Sequence, residues 1–235
     1  EQNYNKSLKR LWESYYFGEI TLINYEEAMK WYKIFAEKPR SYDWNLNVDI
    51  LRANFMVAYS YHKLGDYQEA IKWHKKVIDK GNLWADIRRS FKSVLAAGIW
   101  KLEGYITDST AKIADIYNFE LKNDNQAFKW YLKAAQKGNL ESKFTVGNSY
   151  ALGKGTLRNY NQAIIWWTMA AKYDHSLSQY NLGWSYANEA TIKDLSKAKY
   201  WIEKTYENPN ATEDTIESAK SIWEQYNLWQ EEDIE

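Results

Sequence analysis

The chain has 235 residues, 45% of them apolar and 17% aromatic, enough to build a buried core without covalent staples. Its 31 basic residues balance 31 acidic ones, so bulk attraction to nucleic acid is not expected. The lack of cysteine excludes disulfides, thiolate zinc sites and cysteine nucleophiles, and no apolar run approaches the roughly 18 residues a membrane span needs.

Only two prolines occur, strand signals are weak and helix formers abound, which predicts an all-α chain. An Ala-x-x-Trp motif recurs in one frame at Ala28/Trp31, Ala70/Trp73, Ala127/Trp130, Ala163/Trp166 and Ala198/Trp201. The spacings of 42, 57, 36 and 35 residues point to helix–turn–helix units with insertions in the first half. Before three of these motifs stands a small residue followed three positions on by tyrosine: Ala58/Tyr61, Gly147/Tyr150 and Gly183/Tyr186. The small residues are read as close-approach points between paired helices, with the alanines as the reciprocal notch and the aromatics as filler. On this reading Trp166 is repeat core. Trp167, about 100° further round the helix, packs on a neighbouring repeat or stays partly exposed.

In chain order, helical pairs are expected over 5–17/24–37, 47–63/66–80, 108–121/124–137, 140–152/160–172 and 176–189/194–206. An extra helix is expected at 83–103. A final helix is expected from Thr212 to Gln230, with Thr212 starting it after Asn208-Pro209-Asn210. Residues 231–235, all but one acidic, read as a frayed tail.

Leu182-Gly183-Trp184-Ser185-Tyr186-Ala187-Asn188, with Ala163…Trp166-Trp167…Ala170-Ala171 before it and Gly153-Lys154-Gly155 in the turn, resembles the Sel-one-like (Sel1-like) repeats, relatives of tetratricopeptide repeats. The likeness is specific over 108–208 and looser over 47–82, where Lys63-Leu64-Gly65-Asp66-Tyr67 reads as a plain tetratricopeptide turn. It is weak over 1–40 and departs from the pattern at 83–107. Glu189-Ala190-Thr191-Ile192 replaces the glycine turn in the last repeat. The resemblance implies a right-handed α-solenoid of about five helix–turn–helix repeats in a single domain spanning 1–235. Its parts are divergent repeats at 1–82, a helical insertion at 83–107, the best-matching repeats at 108–208, and a capping helix with acidic tail at 209–235.

Catalytic and metal constellations are poorly supported. His62, His74 and His175 lie in different repeats with no zinc-binding spacing, and His74 fills the slot held elsewhere by Tyr32, Tyr131 or Trp167. No Gly-x-Ser-x-Gly elbow occurs, and Gly153-Lys154-Gly155 lacks the rest of a phosphate loop. Charge is uneven: residues 72–101 carry eight basic and two acidic residues, and 205–235 carry nine acidic and one basic. Either these are two solvated faces, or they orient a partner.

In tetratricopeptide-like arrays the first helix of each pair lines a concave face. Helical spacing places Phe55, Tyr59 and His62, Phe144 and Asn148, and Tyr180, Trp184 and Asn188 there, an aromatic stripe flanked by amides. Family members commonly carry Tyr and Trp at the positions of Tyr180 and Trp184, so these two also fit a scaffold role. The resemblance implies a non-enzymatic scaffold holding one protein partner on that face, with no cofactor, metal, nucleic acid or membrane span. Its finer implication is a bacterial immunity protein that neutralises a secretion-system toxin effector. An envelope or host-interaction adaptor is the alternative, and a glycan-binding module using Trp44, Trp84 or Trp229, or a glycan hydrolase, stands further off. The chain begins without Met, which suggests a processed or trimmed N-terminus and a periplasmic or secreted location; the alternative is cytoplasmic.

Overall fold

Asparagine or aspartate sits four residues before the alanine of every Ala-x-x-Trp motif, and each one starts a helix. In the computed structural model, which describes residues 24–39, 44–90 and 99–230, all regular structure is helical. The chain divides after Lys122 into two compact units. In the first, α1 (Tyr25–Ala36), α2 (Trp44–Lys63), α3 (Tyr67–Ser90) and α4 (Ile99–Asp115) pack in sequence, and α4 runs into a five-residue π-helical turn, Ile116–Glu120. In the second, α5 (Asp124–Gln136), α6 (Leu140–Leu152), α7 (Tyr160–Ala171), α8 (Ser176–Asn188), α9 (Leu195–Tyr206) and α10 (Glu213–Gln225) follow one another, closed by a short 3-10 turn, Leu228–Gln230.

The starts of the second helices share one device. Asn24, Asn123, Asn159 and Asp194 cap α1, α5, α7 and α9, each side chain accepting from the amide three residues on. Asp66 does the same for α3 through the Glu69 amide at 3.2 Å. Such caps satisfy an otherwise orphaned donor and are worth about 1 kcal/mol each. A second bond closes the turn from the other side. The cap residue's own N–H donates to a tyrosine carbonyl of the preceding helix: Asp66 to Tyr61 at 2.9 Å, Asn159 to Tyr150 at 2.8 Å, Asp194 to Tyr186 at 2.9 Å. The three turns differ in length and sequence, yet all end in that bond. The last repeat, lacking the glycine turn, closes as the others do.

With the start fixed, the same faces are buried in every second helix. The alanine and the residue four positions on go fully inside: Ala28 and Tyr32, Ala70 and His74, Ala127 and Tyr131, Ala163 and Trp167, Ala198 and Ile202. The tryptophan at the third position lies on the flank. Trp31, Trp130, Trp166 and Trp201 are half-buried, and only Trp73 is fully inside. This reverses the expectation for the Trp166-Trp167 pair: Trp167 is the core residue, 3% exposed, and Trp166 covers the edge. The physical reason is across the pair. Gly147 of α6 leaves no room for a Cβ because the Trp167 indole occupies its place. Gly183 of α8 does the same for Ile202, whose Cδ1 would stand 2.7 Å from an added Cβ.

Neighbouring pairs are tied by a recurring buried amide. Asn54, four residues before Ala58, donates to the carbonyl of Ala36 at 3.1 Å. Gln179, four before Gly183, donates to the carbonyl of Ala171 at 3.4 Å. Both carbonyls belong to the residue eight positions after a motif alanine, so the same position of a first helix reaches the same end of the preceding helix. Lys80 adds a second donor to Ala36 at 2.9 Å.

Two boundaries differ from expectation. Residues 83–90 continue α3 and 99–102 open α4, so the described parts of the expected extra helix extend its two neighbours; 91–98 lie outside the described residues. Gly81 permits this long α3, since a Cβ there would meet Ile106 Cγ1 of α4 at 2.6 Å and Leu51 Cδ2 of α2 at 3.3 Å. The final helix stops at Gln225, because Asn227 takes a left-handed conformation (φ 50°) that turns Leu228 back into the core. Its start is as expected, with the Thr212 hydroxyl accepting from the Thr215 amide. The expected helix at 5–17 and the acidic tail at 231–235 lie outside the described residues.

Gly147→Ala is expected to destabilise the protein by about 1–3 kcal/mol through overpacking against Trp167. Gly104→Ala, in α4 with open space around it, is expected to stabilise it by about 0.5–1 kcal/mol. Urea midpoints of the two variants moving in the same direction would contradict this packing scheme.

Candidate functional site

All eight residues expected on the inner face of the first helices are half-buried, none fully inside and none fully exposed. Three belong to the first unit. Phe55 packs edge-on to His74 (5.3 Å between centroids) and beside Tyr105 of α4 at 5.8 Å. Tyr59 lies 6.5 Å from the ring of Tyr25 and carries the Lys63 ammonium over its face at 5.3 Å. His62 reaches the Glu120 carboxylate at 3.5 Å and packs against Tyr67 at 5.8 Å. The hydroxyl of Tyr67 also bonds Glu120, which raises its pKa. The π-helical turn is what delivers Glu120 to this pair.

Five belong to the second unit. Phe144 lies 4.8 Å from the imidazole of His175, whose Nε2 is 3.4 Å from Glu141. That hydrogen bond holds the Glu141 carboxyl below its ordinary range. Asn148 Oδ1 accepts from Trp167 Nε1 and from Asn181 Nδ2, both at 3.0 Å. Asn188 Oδ1 accepts from the Tyr226 hydroxyl at 2.8 Å, and its Nδ2 donates to the Trp184 carbonyl at 2.9 Å. Tyr180 and Trp184 pack against the cluster of Ala187, Ala198, Ile202 and Ile222. The two amides are therefore tied into the scaffold, while the aromatic residues keep part of each ring in solvent.

The remaining candidates sort by burial. His74 is 1% exposed, with Nδ1 3.2 Å from Ser109 Oγ, and burial pushes its pKa down to about 3. It is a neutral packing residue, as its slot in the repeat implies. Trp84, considered as a glycan platform, is 4% exposed and belongs to the core, whereas Trp229 is 53% exposed. The side chain of Trp44 lies outside the described residues. Among the described residues no group of three or more acidic or imidazole side chains is arranged to hold a metal ion, and no helix is long and apolar enough to cross a membrane.

Sequence reasoning missed three features of this region. The Asn/Asp caps were legible as a fixed offset from each motif alanine. The helix expected over 108–121 carries the same small-plus-tyrosine pattern, Ile113-Ala114-x-x-Tyr117, which the sequence reading did not pick out. The π-helical turn that follows left no signal in the sequence.

Asn148→Leu is expected to cost about 1–3 kcal/mol, because Trp167 Nε1 loses its buried acceptor; an unchanged unfolding free energy would free Asn148 for a purely surface role. His74 gives a pH dependence. Above its ordinary value of 6.5 it is neutral in both states. Below that value the unfolded chain takes up a proton that the folded chain refuses until about pH 3, so stability falls with falling pH. The slope from this residue is up to about 1.4 kcal/mol per unit. His74→Gln, which does not titrate, is expected to flatten the difference in urea midpoint between pH 7 and pH 5; an equal pH dependence in both proteins would refute the assignment.

Comparison with known proteins agrees with the helix arrangement. The Sel1 repeat model matches residues 13–39, 113–139, 142–174 and 176–210. A tetratricopeptide repeat model matches 51–79. A search of curated proteins gives no match. Among solved structures, a Sel1 repeat protein from Oxalobacter formigenes superposes with a TM-score of 0.60 at 22% identity, over 96% of this chain and 79% of that one. A protective antigen of uropathogenic Escherichia coli displaying an SLR fold gives 0.41 at 22% identity, over 94% of this chain and 54% of that one. An immunity protein from Pseudomonas aeruginosa gives 0.30 at 14% identity, over 93% and 83%. The first shares the fold, and the other two superpose too loosely to carry an argument. With Sel1 repeats matched over just more than half of its length and helix pairs built to one repeated plan, the chain belongs to the Sel1 repeat family.

Proposed function

We propose that this protein is a non-enzymatic scaffold that binds one protein partner through the inner face of its first helices. The observation that carries this reading is the state of the aromatic residues there. Phe55, Phe144, Tyr180 and Trp184 pack against the core on one side and are left half-open on the other, and Tyr59, equally half-open, is flanked by Tyr25 and Lys63. A ring held in one rotamer loses little entropy when a partner covers it, which is why tyrosine and tryptophan dominate binding energy at interfaces. His62 extends the same face in the first unit. The amides of Asn148 and Asn188 act from behind, fixing Trp167 and the Tyr226 end of the second unit.

Within that class, the reading we favour for the partner is a toxic effector whose activity is lost on binding, the role of an immunity protein, in a periplasmic or secreted setting. Its support is the resemblance to Sel1-like proteins together with the uneven charge, basic along α3 and acidic along α10, which would orient an approaching partner. An envelope adaptor would use the same face without silencing its partner.

The triple variant Tyr59→Ala/Phe144→Ala/Trp184→Ala separates these outcomes. Pull-downs from envelope and secreted fractions with the intact protein are expected to retain a partner that the variant loses, while circular dichroism of the variant keeps its helical signal. Undiminished calorimetric affinity in the variant would remove the inner face from consideration. A captured protein whose toxicity persists in the complex would end the immunity reading and leave the adaptor.

A further inference from the structure

One position after the small residue, the first helices carry an aromatic ring on α2 (Tyr59) and on α8 (Trp184), but an amide on α6 (Asn148). The orientation of that amide is forced. The Trp167 indole Nε1 can only donate, and it lies 3.0 Å from Asn148 Oδ1. The same oxygen accepts a second bond, also at 3.0 Å, from Nδ2 of Asn181 on α8. That bond fixes the second amide in turn. Asn148 is held by its oxygen and Asn181 by its nitrogen, which leaves Asn148 Nδ2 as a donor and Asn181 Oδ1 as an acceptor.

Neither of these two atoms has a partner among the described residues. Neither is sealed from water, since the buried unpaired side-chain atoms there are Trp31 Nε1, Asn54 Oδ1, Ser142 Oγ and Ser185 Oγ. Other amides of the fold are engaged differently. Asn54 Nδ2 serves the carbonyls of Ala36 and Ile50 inside the core, Asn208 bonds Gln179, and Asn188 is bonded through both its oxygen and its nitrogen. Asn148 and Asn181 are both half-buried, and the bond between them joins α6 to α8. Half-open aromatic residues accompany them in sequence: Phe144 one turn before Asn148, and Tyr180 and Trp184 on either side of Asn181.

We infer that Asn148 and Asn181 form a site for the main chain of one extended segment of the bound protein. Asn148 Nδ2 donates to a carbonyl of the segment, and Asn181 Oδ1 accepts from one of its amides. This rests on the protein-binding reading of the inner face and deepens it. A carboxylate would leave the acceptor unanswered and an ammonium would leave the donor so, whereas a peptide chain answers both. In an extended chain the N–H and C=O of one residue point to the same edge and are open to an outside partner. In a helix they are used internally, so a helical segment does not fit. Side chains of an extended segment alternate to its two faces, which leaves them for the neighbouring rings.

The test uses the full chain and mixtures of acetylated, amidated heptapeptides made from Gly, Ala, Ser, Thr, Leu and Tyr. Binding is followed by the side-chain NH2 signals of Asn148 and Asn181 in nuclear magnetic resonance spectra. Both signals are expected to move. Methylating every peptide nitrogen is expected to weaken binding by about five-fold or more, the size of one net hydrogen bond. Asn148→Asp keeps an oxygen for Trp167 and Asn181 but removes the open NH2, and is expected to lose a similar factor while keeping its helical signal. Thr145→Asp, which adds the same charge three residues earlier on α6, is expected to bind as the intact protein does. Binding that is indifferent to methylation, or that leaves both amide signals unmoved, overturns the inference. So does a neutral hexasaccharide that moves both signals as the peptides do, which would assign the pair to a glycan. If peptides are bound with no effect of methylation and the Tyr59/Phe144/Trp184 alanine variant loses them, the scaffold reading stands and only the main-chain site falls. An intact protein that binds no heptapeptide also overturns the site, because main-chain recognition does not depend on sequence; the scaffold reading is then decided by its own pull-down.

Discussion

The close approach of two helices at a single small residue is the constraint on which each repeat depends. At Gly147 the Trp167 indole stands where a side chain would begin, and at Gly183 the Ile202 side chain does. Such contact needs the second helix at one rotation and one height. The cap four residues before the motif alanine fixes where that helix begins, and the bond from cap amide to tyrosine carbonyl fixes where it begins relative to its partner. Turns of different composition can then be inserted without moving the interface. That is how the glycine turn of one repeat and the glycine-free turn of the next lead to the same packing.

Polar groups are divided between holding the fold and facing outward. The amides at Asn54 and Gln179 cover carbonyls at the ends of preceding helices, where burial without a donor would be costly. Asn148 serves two donors at once. Asn208 plays a similar part beside α8, giving its side-chain amide to the Asp174 carbonyl at 2.9 Å and to Gln179 Oε1 at 2.7 Å. These residues lie close to the proposed binding face and stiffen it. A stiff face would limit the entropy lost on association, so under the proposed function the scaffold network would contribute to binding without touching the partner.

Charge adds a separate layer. On α3, Lys72 is paired with Glu69 and Lys76 lies over the Trp73 ring, 3.6 Å from its centre, so part of the basic run is engaged with its own helix. On α10 the first-turn acids Glu213 and Asp214 face the positive end of the helix and favour its start. The uneven distribution is thus partly local helix chemistry.

The sequence by itself determined the all-α class, the frame of the repeat and the family. These rest on local periodicity, and two fixed offsets, small residue to tyrosine and cap to motif alanine, are visible without coordinates. It also placed His74 correctly, because a histidine in a slot otherwise held by Tyr32, Tyr131 and Trp167 inherits their packing role. Only the tertiary structure decided which of two adjacent tryptophans is core. Residues three and four positions after Ala163 are both near its face, and the choice was made by the glycine across the pair. The same holds for 83–90 and 99–103, which belong to α3 and α4, with Gly81 admitting Ile106 and Leu51 at their contact. The proposed binding face could be listed as positions from the sequence, whereas the tying down of Asn148 from two sides depends on what neighbouring helices bring within a few ångströms.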